Sequence, residues 1–169
     1  MEKDHLTTYV SITSIVFAVL ATLSTFKAGG QSTLAVLSQS QASDQWAFYQ
    51  AKSIKQHTYE VHLALLRLQK GVPETQVLIQ TYTDQIGRYE GEKKEIKAKA
   101  DALEHQRDEA RHHGAHFGIA VMFLQMSILL CAIAGLTKKY PLWWTSLVIG
   151  AMGVFFFVNG FYLFWQAPI

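Results

Sequence analysis

The sequence predicts an all-α fold: three transmembrane helices, with a long antiparallel helical hairpin (a coiled-coil stalk) between the first and second spans. Three observations carry this expectation. Residues 6–26, 117–137 and 142–165 form apolar stretches without a single Asp, Glu, Lys or Arg. A helix of about 20 apolar residues is long enough to cross a bilayer core. Between the first two stretches lie two arms of 40 residues each, 31–70 and 74–113, around Gly71-Val72-Pro73-Glu74. Finally, the second arm repeats apolar residues at alternating three- and four-residue steps, the pattern of a helix packed along one seam. The implied organisation is 1–30 for the N-terminus and first span, 31–114 for the hairpin with its turn at 71–74, and 115–169 for the last two spans.

The first span is too long for a signal-peptide core and has weakly charged flanks, which predicts an uncleaved anchor. Thr7, Ser11, Ser14, Ala18, Thr22 and Thr25 place small and hydroxyl groups on one face of it. Such faces let transmembrane helices approach and hydrogen-bond. Glycine pairs mark the membrane crossings, Gly29/Gly30 on one side and Gly114/Gly118 on the other, where the helix is either tolerated or hinged.

In the first arm, Ile54, Val61, Leu65 and Leu68 make a stripe toward the tip, and Trp46 and Tyr49 make a second contact. Gly71 suits a helix C-cap and Pro73 the first turn of the next helix. The second-arm seam is Ile79, Tyr82, Ile86, Tyr89, Lys93, Ile96, Ala100, Leu103, Arg107 and Ala110. Gly87 and Gly91 sit in the same arm, each costing about 1 kcal/mol against Ala unless another helix comes close. Pairing about Val72 sets Leu65 opposite Ile79 and Leu68 opposite Gln76, and gives Trp46 the partners Ile96 and Ala100.

The second span carries Gln125 near its middle, a carboxamide that needs a polar partner. The third offers Ser146, Gly150, Gly153 and Gly160 as a small-residue seam with Phe157 between them. Lys3 and the short loop with Lys138 and Lys139 place the N-terminus and that loop in the cytoplasm. The hairpin and the uncharged C-terminus then lie on the periplasmic side. Tyr140, Trp143 and Trp144 fit one interfacial belt, and Tyr162 and Trp165 the other.

Charge and composition exclude several function classes. Lys+Arg 15 against Asp+Glu 13 gives a net charge of +2, which does not suggest a nucleic-acid partner. Twelve of the fifteen Lys/Arg and eleven of the thirteen acids fall between Lys27 and Arg111, so the hairpin surface is mixed in sign. Cys131 is the only cysteine, which rules out an intrachain disulfide. No Walker loop, nucleophile elbow or zinc-protease motif is present. The one metal-like pattern is His105, Glu109, His112 and His116, spaced 4, 3 and 4 on one helix face, with Gly114 a point of interruption. Two His at i, i+4 beside a carboxylate can ligate zinc or a similar ion. No cofactor is expected.

The run Ala42-Ser43-Asp44-Gln45-Trp46-Ala47-Phe48-Tyr49-Gln50-Ala51-Lys52-Ser53-Ile54-Lys55-Gln56 resembles a family of bacterial inner-membrane proteins known as domain of unknown function 4337. The order of the spans and the helical insert extend the resemblance over nearly the whole chain. It implies a bacterial inner-membrane protein and no established activity. Read physically, Trp46, Tyr49 and Ser53 share one helix face, Lys52 can pair within or across arms, and Gln45, Gln50 and Gln56 can hydrogen-bond in a seam.

The expectation is a non-enzymatic membrane scaffold or accessory subunit. Its hairpin mediates self-assembly or binds a larger membrane complex, with the lipid bilayer as its other partner. Trp46, Tyr49, Lys52, Gln125, Gly150 and Gly153 are the candidate interaction residues. The alternative is a homo-oligomeric channel lined by the Ser/Thr face of the first span.

Overall fold

The computed structural model describes residues 2–68 and 73–163. They form three α-helices and, among the described residues, no strand: α1 (Glu2–Leu68), α2 (Pro73–Thr137) and α3 (Tyr140–Tyr162). Each contains a stretch long and apolar enough to cross a membrane. Gly71, Val72, Trp165 and the last four residues lie outside the described part, and with them the centre of the expected turn and one aromatic anchor.

The helix ends follow local chemistry. α2 opens on Pro73, whose missing N–H and fixed φ suit a first helical position. It stops at Lys138, which adopts a left-handed φ of 52°. Lys139 is extended at φ −104° and ψ 114°, and Pro141 stands in the first turn of α3. Two cationic residues at the C-terminus of α2 also suit its dipole. At the far end of α3, Leu163 takes φ 48° and its N–H donates to the Asn159 carbonyl at 2.8 Å. This single bond closes the helix as a left-handed cap.

The glycine positions decide between alternatives the sequence left open. α1 continues through Gly29/Gly30 and α2 through Gly114/Gly118, so neither pair breaks its helix. Gly114 instead permits close packing, because a Cβ there would lie 3.4 Å from the Gln31 Cβ of α1. Gly87 and Gly91 have open space around them, so no approaching helix offsets their conformational cost. Gly87→Ala and Gly91→Ala are each expected to raise stability by about 1 kcal/mol, measurable as a later urea midpoint with an unchanged slope.

The chain divides into two compact units. The first comprises Met1–Ala35 and Asp108–Ile169, the second Val36–Arg107. In the first unit three helices share a core of Leu6, Val10, Phe17, Ala21, Leu124, Cys131 and Ala134. α3 supplies the small surface: Ser146, Gly150, Gly153 and Gly160 are all buried. Larger side chains seat on these positions: Phe17 of α1 against Gly150, and Leu124 and Phe117 of α2 against Gly153 and Gly160. Small residues let helix backbones approach closely enough for such packing. The outward faces of the same unit are apolar, with Ile12, Ile15, Val19, Met122, Leu129, Ile133, Val148 and Phe155 exposed.

Candidate functional site

In the second unit, α1 and α2 run antiparallel along one seam. On α2, the nine expected seam residues from Ile79 to Arg107 are all buried or half-buried. On α1, Ser38, Ala42, Gln45, Tyr49, Lys52, Gln56, Tyr59, Leu63 and Leu66 are buried or half-buried at strictly alternating steps of four and three, and Gln39, Trp46 and Ser53 beside them are half-buried. Ala42 and Ala100 are both fully buried, and their short side chains let the arms come close. The expected α1 stripe is a correction: Ile54, Val61, Leu65 and Leu68 are all exposed. Leu63 is the residue buried near the tip, so the anticipated pairings of Leu65 with Ile79 and Leu68 with Gln76 give way to Tyr59 and His62 packing on Tyr82.

Polar side chains span the seam. Trp46 Nε1 donates to Glu104 Oε1 at 2.7 Å, one helical turn beyond the expected neighbour Ala100. Helix side chains lean toward their own N-terminus. In an antiparallel pair, that carries the long indole of α1 toward higher-numbered residues of α2. Tyr49 packs edge-on against Trp46, with ring centroids 5.7 Å apart. Lys93 Nζ donates to Gln56 Oε1 at 3.1 Å and lies over the Tyr49 ring. Arg107 donates to Gln39 Oε1 at 2.7 Å. Lys52 Nζ meets Glu92 Oε2 at 2.6 Å and stands 5.2 Å from the centres of both the Phe48 and Tyr89 rings. Only 18% of the Lys52 side chain is exposed, which makes it a seam residue with its charge satisfied across the arms. Beside this contact, Ile54, Lys55, Thr58, Tyr59, His62, Tyr82 and Tyr89 line an open groove.

The hydrogen bond from Lys52 holds the Glu92 carboxyl below the usual carboxylate range, with the Lys52 and Arg88 charges adding to it. A carboxyl depressed in the folded state stabilises fully above its unfolded pKa of about 4.3, and that contribution is lost as pH falls through the folded value. Glu92→Gln is therefore expected to lower the melting temperature at pH 7. The gap to the parent protein should narrow as the pH is lowered from 7 toward 3, as thermal unfolding across that range would show.

The first unit contains a buried polar network joining all three helices. Trp143 Nε1 of α3 donates to Thr13 Oγ1 of α1 at 3.4 Å, and Thr13 Oγ1 donates to the Tyr9 carbonyl at 2.8 Å. Cys131 Sγ of α2 lies 3.1 Å from Ser146 Oγ and 3.7 Å from Thr13 Oγ1. Ser146 Oγ donates to the Trp143 carbonyl at 2.6 Å, and Ser127 Oγ to the Ser146 carbonyl. Spacing identified Ser146, but Ser127 and Cys131 read as ordinary span residues. Their polar atoms are small enough to vanish in an apolar average.

Two of the clustered histidines, His113 and His116, pack against α3. His113 Nδ1 donates to the Gly160 carbonyl at 2.7 Å, one of the last carbonyls of α3, which has no intrahelical partner. His116 is 1% exposed, with its Nδ1 3.3 Å from Asn159 Nδ2. His105, Glu109 and His112 are exposed. The expected set of His105, Glu109, His112 and His116 therefore does not converge. Among the described residues no three His, Cys, Asp or Glu side chains are placed to hold a metal ion. The shared helix face was real, but His116 turns into the helix packing while the others remain outside it. Asn159, unremarked in the sequence, is the buried amide that fixes it.

Gln125 lies on the outward face of α2, exposed, between the exposed Met122 and Leu129. Gly150 and Gly153 face inward, as described above. In the expected hydroxyl stripe, Thr7, Ser11, Ala18, Thr22 and Thr25 are exposed. Ser11, Thr22 and Thr25 donate to the carbonyls four residues earlier, at 2.8, 2.8 and 2.9 Å.

Fold and contacts define a class: an all-helical chain with three helices long and apolar enough to cross a membrane, two of which continue into a closely packed antiparallel pair. The chain belongs to the family described as domain of unknown function DUF4337, whose model matches residues 6–163. Neither the curated proteins nor the solved structures yield a match.

Proposed function

We propose that this chain is a non-enzymatic, multi-pass membrane scaffold or accessory subunit that assembles with copies of itself, alone or within a larger membrane complex. The observation that carries the reading is Gln125, a carboxamide on an exposed and otherwise apolar helix face near the middle of residues 117–137. A polar group facing hydrocarbon without a partner costs several kcal/mol, and interhelical hydrogen bonds relieve that cost. The buried polar groups support a structural role as well. Thr13, Ser127, Cys131, Ser146, His116 and Asn159 contact one another or the backbone across helices. The membrane of this reading is a bacterial inner membrane, and the lysines of the two-residue break after α2 favour a cytoplasmic side for that break, with the hairpin on the other side.

Native mass spectrometry of the full chain in mild detergent is expected to show a homo-oligomer. Gln125→Leu should weaken it by about 1 kcal/mol per contact. A strictly monomeric chain with no co-purifying partner would overturn the reading. The channel alternative is less supported, because the Ser11, Thr22 and Thr25 hydroxyls of the α1 face are already bonded to their own backbone and need no water file. It makes a separate test: cysteines at Ser11, Ser14 and Thr22 in a Cys131→Ser background should react with water-soluble thiol reagents only if a pore is lined by that face.

A further inference from the structure

The outer face of α1 in the second unit carries a second seam. Ala51, Ile54, Thr58, Val61, Leu65 and Leu68 follow steps of 3, 4, 3, 4 and 3, and all six are exposed. Exposure reaches 68% at Ile54 and 79% at Leu68. Thr58 donates its hydroxyl to the Ile54 carbonyl at 2.9 Å, which satisfies the one polar group in the row. At 3.6 residues per turn the row lies about 160° around the helix from the residues that face α2, and it runs for about 26 Å. The residue that continues the row toward the N-terminus after Ala47 is Asp44, which bounds it. A contiguous apolar row of this length marks an association surface.

We propose that this row is the contact through which the hairpin pairs with further copies of this chain, in parallel and in register, as a bundle of three or four α1 helices with α2 on the outside. The inference rests on the membrane-scaffold reading, because copies inserted in one bilayer share an orientation and their α1 helices then run parallel. Three features favour a copy over another occupant. The alternating three- and four-residue spacing is what a second helix with the same spacing requires, and a parallel copy supplies it residue for residue. In that register the flanking residues meet as Gln50 with Lys55 and His57 with His62, so along these flanks of the row no two Lys/Arg and no two Asp/Glu side chains are forced together. The branching pattern bears on the number. The second core position holds Ile54, Val61 and Leu68, and the first holds Ala51, Thr58 and Leu65. A two-stranded pair prefers Leu in the second position, so β-branched residues at two of its three places favour more than two strands.

The test uses the full chain in native membranes and in mild detergent. In a Cys131→Ser background, Ile54→Cys and Val61→Cys should each crosslink between copies on oxidation, while Lys97→Cys, exposed on α2, should not. Native mass spectra should show three or four copies. The double change Ile54→Lys with Val61→Lys should reduce the oligomer at least tenfold at fixed concentration, with helicity unchanged because both positions are exposed. An oligomer that survives the double change, without crosslinks at 54 and 61, overturns the proposal and leaves self-assembly standing. A dimer overturns the bundle. A monomer whose co-purifying partner is lost on the double change shows that a different protein occupies the row. A wild-type monomer without any partner removes the scaffold reading as well.

Discussion

Gly153→Ala is expected to destabilise the three-helix unit by about 1–3 kcal/mol, and shortening the neighbouring side chain should not restore it. The added Cβ would stand 2.8 Å from Leu124 Cγ and 3.1 Å from the Leu124 backbone nitrogen. A side chain can be cut back, but the nitrogen belongs to α2 itself, so the two helices must separate. Gly150→Ala should behave differently. The three atoms nearest its Cβ all belong to the ring of Phe17, with both Cε atoms at 2.6–2.7 Å. Phe17→Leu removes the outer ring atoms and should recover part of the loss. The two cycles, read by SDS-titrated unfolding with circular dichroism, should show strong favourable coupling for Gly150 with Phe17 and weaker coupling for Gly153 with Leu124→Ala, where the backbone contact remains. A Gly153→Ala protein as stable as its parent would mean that α2 and α3 pack farther apart than the structure places them.

The parts of this architecture that were legible in the sequence are those written in large apolar residues. The spans stand out because residues 6–26 and 117–137 exclude charge altogether. The α2 seam stands out because Ile79, Tyr82, Ile86, Tyr89 and Ile96 repeat with the helix. The α1 seam was hidden because it uses Ser38, Ala42, Gln45, Lys52 and Gln56, residues that any hydrophobic pattern treats as surface. Tyrosine rings and cross-arm hydrogen bonds hold that side together, and neither has a signature in one strand of sequence. Ile54, Val61, Leu65 and Leu68 were the more apolar row on the same helix, so periodicity alone selected them. Their exposure turns the same observation from an internal contact into an external one. The histidine spacing likewise put four groups on one face of α2, but spacing is blind to α3, whose Gly160 carbonyl and Asn159 amide engage His113 and His116.

Trp46→Ala is expected to cost the hairpin unit about 2–3 kcal/mol. That is below the 3–5 kcal/mol of a fully buried aromatic, because the indole is only half-buried. Two contributions are separable. Trp46→Phe keeps an aromatic against Tyr49 but removes the N–H that Glu104 accepts, and should cost about 1 kcal/mol. Glu104→Gln keeps an oxygen acceptor and should cost less. The mixed-sign surface of the hairpin means that removing one charge there matters little, so packing and the neutral donor dominate at this position. Every contact named for Trp46 lies within Val36–Arg107, so the apolar helices of the other unit should insert and fold as before. Limited proteolysis should cut faster between residues 36 and 107 in Trp46→Ala, with residues 117–137 and 140–162 still protected. If protection of the hairpin is unchanged while a co-purifying protein is lost, the indole anchors a partner and its bond to Glu104 is incidental.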